Sequence, residues 1–144
     1  MHLFTHPAHN HVVNLLQQFD LPTEDLSEAK LDLFLGCGGE LAPEGIVGLE
    51  IYGQAGLLRS LAVAETARGC GCGKALVQGI EATARSRGVA NLYLLTNTAE
   101  TFFARLGYRT IARADAPEAI RTTEEFSSLC PDSAVVMVKT LGGN

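Results

Sequence analysis

No apolar run in this chain of 144 residues approaches the roughly 20 that a membrane-spanning helix needs, and residues 1–10 place no cationic stretch ahead of an apolar block. A cytoplasmic protein with no membrane partner is therefore expected. Internal repeats, linkers and low-complexity tracts are also missing. Cations are scarce at the start: residues 1–58 hold Lys30 alone against eight carboxylates, whereas residues 59–144 hold ten cations and eight carboxylates, giving −7 and +2 within a net charge of −5. That balance excludes the broad basic face on which nucleic-acid affinity rests, yet leaves the second part able to hold a local anion. The four cysteines, Cys37, Cys70, Cys72 and Cys130, come without an export signal and are expected to be reduced thiols. His2, His6, His9 and His11 crowd the beginning, but their spacing matches no zinc pattern, and Cys70-x-Cys72 lacks the two-residue spacer of a zinc knuckle; no metal is expected.

What is present is a globular balance, 47% hydrophobic and 19% charged, in a length that suits a single domain over residues 1–144. Val12, Leu15, Leu16 and Phe19 recur at helical spacing behind a short strand at residues 3–5, predicting an amphipathic helix over residues 7–19. Asp20, Pro22 and Asp25 then mark a break and a short second helix. Apolar runs at residues 30–35, 45–52 and 56–63 have strand length and are separated by Gly and Pro clusters at 36–39, 43–45 and 53–56, the spacing of an antiparallel meander. Residues 74–87 read as a helix capped by Gly88, 91–96 as a buried strand, 99–106 as a helix ended by Gly107 and 108–112 as a strand. Residues 117–127 read as a helix with Pro117 near its start, 134–139 as a closing strand and 141–144 as a loose tail.

The densest chemical signal is the stretch that leaves the third apolar run, crosses Arg68-Gly69-Cys70-Gly71-Cys72-Gly73-Lys74 and enters a helix. Where side chains are absent, backbone N–H groups can approach an anion closely, and the helix N-terminus adds roughly half a positive charge. A phosphate-binding P-loop is excluded, because Arg68 stands where its first glycine belongs and Ala75 where its metal-binding hydroxyl belongs. A dinucleotide fingerprint is excluded too: its third glycine would fall at Leu76, and three strands precede the loop. What remains is Arg-x-x-Gly-x-Gly, carried by Arg68, Gly71 and Gly73.

With Leu61-Ala62-Val63 before it and Phe102-Phe103-x-Arg105-Leu106-Gly107-Tyr108-Arg109 after it, this loop resembles the GNAT superfamily of N-acetyltransferases from about Gly45 onward. The resemblance implies an α/β (α+β) fold, a mixed, mostly antiparallel central sheet flanked by helices, with acetyl-CoA as co-substrate. The main chain of Leu61, Ala62 and Val63 would run along the pantetheine arm. The backbone of Arg68, Gly69, Cys70, Gly71, Cys72, Gly73 and Lys74 would cradle the pyrophosphate, and Phe103 would pack beside the thiol end. Residues 57–63, 93–103, 116–121 and 127–131 are similar to the acetyltransferase domain of N-acetylglutamate synthases, and more closely to small acetyltransferases associated with bacterial arsenic resistance. That narrower likeness implies a small amino acid or an amino-acid-like toxic compound as acceptor, an arsenical among them, with Arg59 or the main chain near Thr96 receiving its carboxylate.

Acetyl transfer to an amine needs a group that takes the amine proton, polarisation of the thioester carbonyl and protonation of the leaving thiolate, without a covalent enzyme intermediate. Many family members protonate the thiolate with a tyrosine, and here Phe103 stands at that position; water or Tyr93 could serve instead, while Tyr108 suits the core. Glu50 is the candidate base, against the alternative of an exposed strand carboxylate. Arg59, a cation planted on an inner strand, must meet an anion, either the acceptor's carboxylate or Glu50. Two other readings stay open, a non-catalytic CoA-binding sensor and a protein or peptide acetyltransferase. Phe126, Leu129 and residues 135–138 could form a homodimer seam.

Overall fold

The computed structural model describes residues 3–19, 21, 23–67, 69, 71–123, 126 and 134–141. Its elements run β1 (Leu3–Thr5), α1 (His9–Gln17), β2 (Phe34–Gly39), β3 (Ala42–Tyr52), β4 (Ala55–Val63), α2 (Cys72–Ser86), β5 (Asn91–Thr96), α3 (Glu100–Arg105), β6 (Arg109–Ile111), α4 (Glu118–Arg121) and β7 (Val135–Thr140). The strands join in the order β1-β2-β3-β4-β5-β7-β6. Pairing is antiparallel for β1 with β2, β2 with β3, β5 with β7 and β6 with β7, and parallel for β4 with β5. This is the mixed, mostly antiparallel sheet with helices that the α/β reading expects. Contacts divide the chain into two compact units, residues 1–50 with 58–82 and residues 51–57 with 83–144.

In the first unit, α1 buries Val12, Leu15 and Leu16, the i, i+3, i+4 stripe of an amphipathic helix, against Leu31, Phe34, Ile46 and Ala62. Two differences from the sequence pattern appear here. Lys30–Leu33 forms a 3-10 turn, and the strand expected at 30–35 begins only at Phe34. The glycines at 36–39, expected to separate strands, lie inside β2; at Gly36 bulk is excluded, because a Cβ would run into the Phe4 ring, as one on Gly48 of β3 would into the Phe34 ring.

Helix α2 lies against this part of the sheet through two more glycines. A Cβ on Gly79 would stand 2.9 Å from both Leu3 and Leu35, and one on Gly45 would stand 2.6 Å from Cys72 Sγ and 2.9 Å from Leu76 Cδ1. Gly45 pairs across the ladder with Cys37, and Cys37 and Cys72 form a disulfide with their Cα atoms 6.6 Å apart. The expectation of reduced thiols is therefore corrected for this pair. Compartment arguments say nothing of geometry, and the two cysteines, 35 residues apart, meet only once α2 has docked. In the chain-entropy account a loop of that size gives about 3–4 kcal/mol. Cys70 and Cys130 lie outside the described residues.

In the second unit, Leu57, Ala116, Ile120, Phe126 and Val136 form the core, with Tyr93, Leu95 and Ile111 packed against it. The C-terminal end of α2 closes as a Schellman motif: Gly88, at φ 84°, donates to Arg85 O at 3.1 Å, and Val89 donates to Ala84 O at 3.0 Å. Strand β7 pairs on both sides, and Phe126, Val136, Met137 and Val138 are buried within the chain. Of the residues offered for a homodimer seam, these pack within the chain, and Leu129 lies outside the described residues. The helix expected over 117–127 is described only as α4, residues 118–121, and the rest of its span is described only at Pro117, Thr122, Thr123 and Phe126. Leu141, expected in a loose tail, is buried and donates to Ala90 O at 2.8 Å.

The glycine contacts under α2 give a direct test. Gly45→Ala is expected to lose about 1–3 kcal/mol of stability in urea unfolding, because its Cβ overlaps Cys72 and Leu76, whereas Gly39→Ala, with nothing within 4 Å of its Cβ, should change stability by less than about 0.5 kcal/mol. Equal losses would refute the close-approach account.

Candidate functional site

Strand β4 delivers the chain to the glycine loop. It follows β3 through the two-residue turn Gly53-Gln54, where Gly53 has φ 65°, the sign a type II′ turn requires of its first central residue. Three residues of β4 pair in parallel with β5, Ala55 with Asn91, Gly56 with Leu92 and Leu57 with Tyr93. At its far end Ala64 donates to Glu44 O at 2.7 Å, and a 3-10 turn at Glu65–Ala67 leads toward the loop.

In the loop, Gly69 and Gly71 are exposed and left-handed, at φ 84° and 81°, and Gly71 O accepts the first bond of α2, from Ala75 N–H at 2.9 Å. Side chains other than glycine rarely adopt that backbone. The first turn of α2 carries no carboxylate, and Lys74 within it is exposed. The helix thus opens with the positive end of its dipole and an exposed lysine, a combination suited to an anion. Cys72, one of the expected loop residues, is turned inward and bonded to Cys37, so only its backbone faces this role. Arg68, with Cys70, lies outside the described residues.

The buried charge on β4 is the second feature. Arg59 has a fully buried side chain whose Nη1 donates to Glu50 Oε2 at 2.7 Å and also to Asp25 Oδ2, while Nη2 donates to Asp25 Oδ1 at 2.8 Å. Lys30 Nζ adds a bond to Asp25 Oδ2 at 3.1 Å and approaches Glu50 Oε2 at 3.6 Å. Of the two partners foreseen for Arg59, the structure supplies the carboxylate of Glu50, and the bidentate one of Asp25 besides. Glu50 is not an exposed strand carboxylate; its side chain is 10% exposed. Asp25 and Lys30 were not singled out in the sequence. The only signal for them was the cost of a cation on an inner strand, which one carboxylate does not fully offset.

Burial pushes the Asp25 carboxyl up, but its hydrogen bonds and charge interactions with Arg59, and then with Lys30, outweigh burial and hold it below the usual carboxylate range. Next to this cluster, Arg59 Nε donates to Ser60 Oγ at 3.0 Å, and Ser60 sits at φ 60°, a left-handed backbone that costs a non-glycine residue about 1–2 kcal/mol. The five residues 56–60 are all buried, and alternation resumes beyond them with Leu61 and Val63 half-buried about a buried Ala62.

The remaining candidates lie in the second unit. Thr96 Oγ1 accepts from Ala99 N–H at 3.0 Å, tying the end of β5 to the start of α3. Phe103 is buried, with its ring edge-on to Phe102 at 5.1 Å and to Tyr108 at 5.4 Å. Tyr108 is buried as well, with Lys139 Nζ 5.6 Å above its ring. Tyr93 is half-buried. Among the described residues no group of three or more His, Cys, Asp or Glu side chains is placed to hold a metal, and no helix is long and apolar enough to cross a membrane.

The charge cluster makes a prediction about acid. A carboxyl whose folded value is depressed stabilises the fold above its unfolded value and ceases to do so as pH falls through the folded one. Asp25→Asn should cost about 3 kcal/mol at pH 7 and, by urea unfolding, should lose less stability than the parent as pH drops below about 4. Parallel pH profiles for the two proteins would show that Asp25 is not held by these cations.

With this geometry, the likeness to known proteins can be read. The sequence pattern of the acetyltransferase (GNAT) domain matches residues 31–110, more than half of the chain and parts of both units. An uncharacterized N-acetyltransferase of Chlorobaculum tepidum is 36% identical over 85 residues, 58% of this chain and 54% of its own length. A mouse protein, N-alpha-acetyltransferase 80, is 43% identical over 53 residues, 37% of this chain and 17% of its own length. The chain thus spans about half or less of these relatives. Among solved structures, N-acetylglutamate synthase from Neisseria gonorrhoeae, complexed with coenzyme A and N-acetyl-glutamate, superposes with a TM-score of 0.82 at 21% identity, covering 98% of this chain and 35% of that one, a likeness of fold. By the family pattern across residues 31–110, the chain belongs to the GNAT acetyltransferase family.

Proposed function

We propose that the chain is an acetyl-CoA-dependent N-acetyltransferase acting on the primary amine of a small amino acid or amino-acid-like compound. The observation that carries this reading is the opening of α2: left-handed Gly69 and Gly71, exposed Lys74 and a first turn free of carboxylates, following β4 in the chain. In this reading the backbone from Arg68 to Lys74 holds the pyrophosphate, the main chain of Leu61, Ala62 and Val63 holds the pantetheine arm, and Phe103 packs at the thiol end. An amino-acid acceptor accords with the ligand of the solved neighbour, N-acetyl-glutamate.

In the transfer, the amine nitrogen bonds to the thioester carbon, the carbon–sulfur bond breaks, and the amine proton leaves to Glu50, directly or through water. The thiolate takes a proton from water, since the Phe103 ring has none to give. Arg59, whose guanidinium is already engaged by Asp25 and Glu50, does not receive the acceptor carboxylate in this reading, which leaves it to the main chain near Thr96, at the turn the Thr96 side chain ties.

Two measurements test the reading. Incubation with acetyl-CoA and a panel of α-amino acids, phosphinothricin-like and arsenic-containing analogues, polyamines and a lysine peptide should yield an acetylated amino-acid-like product by mass spectrometry. Acetylation of the peptide alone would replace the acceptor class, and intact acetyl-CoA binding with no product from any amine would favour a sensor. Gly71→Leu should weaken acetyl-CoA binding by at least about tenfold while costing the fold only about 1–2 kcal/mol, the strain of a side chain at positive φ. Unchanged affinity would contradict the loop assignment.

A further inference from the structure

Ser60 is a non-glycine residue in the left-handed region in the middle of a strand, immediately before Leu61, Ala62 and Val63. Such a backbone persists only where its surroundings over-determine it. Its hydroxyl accepts the Nε–H of the preceding residue, Arg59, at 3.0 Å, in a buried bond. Arg59 in turn cannot swing away, because its two terminal nitrogens are fixed by Asp25 and Glu50. The turn before the 3-10 segment, the end of β3 and the middle of β4 therefore converge on one guanidinium, and that guanidinium grips the residue with the unusual backbone.

A left-handed residue shifts the pleat, so it decides which way each N–H and C=O beyond it points. On the burial pattern, Ala62 returns to the core while Leu61 and Val63 are left half-buried. We propose that Arg59 is a positioning residue, which through its bond to Ser60 Oγ holds Ser60 left-handed and so aims the main chain of Leu61, Ala62 and Val63 at acetyl-CoA. Its net-neutral setting of two cations and two carboxylates anchors the guanidinium without leaving a charge to attract the ligand itself. The inference rests on the proposed reading of residues 61–63 as the pantetheine-binding segment.

The decisive comparison is Ser60→Ala against Ser60→Gly, since both leave the ion pairs of Arg59 intact and both remove the hydroxyl. Glycine accepts a positive φ freely and alanine does not. Titration calorimetry with acetyl-CoA should show Ser60→Ala weakened about tenfold and Ser60→Gly weakened no more than about threefold, with the Cα and Cβ chemical shifts of residue 60 leaving left-handed values in the alanine variant only. Arg59→Lys should behave like Ser60→Ala, and adding Ser60→Gly to it should recover most of the affinity. If Arg59→Lys fails to fold, the alanine and glycine pair decides alone. Ser60→Ala binding as tightly as the parent, or Ala and Gly variants weakened alike, would overturn the inference while leaving the pantetheine reading in place. A parent protein that keeps residue 60 left-handed yet shows no affinity for acetyl-CoA would remove that reading, and the inference with it.

Discussion

The middle of β4 depends on a guanidinium whose side chain is fully buried, that of Arg59. A buried cation is tolerated only with charge-matched, hydrogen-bonded partners. Arg59 obtains them from two distant segments, Asp25 bidentate and Glu50 by a single bond, with Lys30 balancing the second carboxylate. Removing any one partner exposes the others to the full cost of desolvation. The cluster is thus a weak source of net stability but a strong constraint on geometry, fixing the turn at residues 23–26, the end of β3 and the middle of β4 to one another.

The second constraint is close approach. Helix α2 meets the sheet at glycines, with Gly45 leaving the space that Cys72 Sγ occupies and Gly79 the space for Leu3 and Leu35. The disulfide from Cys72 to Cys37 then pins the first residue of the helix to β2. The proposed anion site, built from backbone N–H groups, would have no side chains with which to adjust, so its precision would have to come from the placement of the helix start. The glycine contacts and the disulfide provide that placement.

Much of this was legible in the sequence, and for definable reasons. The α1 stripe, the Gly88 cap and the strands at 91–96 and 134–139 are local patterns, set by periodicity and by a residue that tolerates positive φ, and each appears within a residue or two of its expected place. The loop from Gly69 to Lys74 was visible because a backbone that turns left-handed, as it does at Gly69 and Gly71, selects glycine directly. What escaped was non-local. The glycines of β2 looked like punctuation because sequence cannot show the Phe4 ring lying across Gly36. Cys37 and Cys72 looked like unrelated thiols, and Asp25 looked like a helix breaker, because their partners are 35 and 34 residues away. Arg59 and Glu50 were recognised as an unusual pair, but nothing local in the sequence announced the left-handed backbone at Ser60, the residue that Arg59 holds.

The central claim is that coenzyme A is held by backbone, along residues 61–63 of β4 and at the opening of α2. Titration of the 15N-labelled protein with coenzyme A, followed by amide chemical shifts, tests it most directly. The account predicts the largest shifts at Leu61, Ala62, Val63 and at Gly71, Cys72, Gly73 and Lys74. Saturable binding that leaves these amides unmoved and perturbs another surface would contradict it.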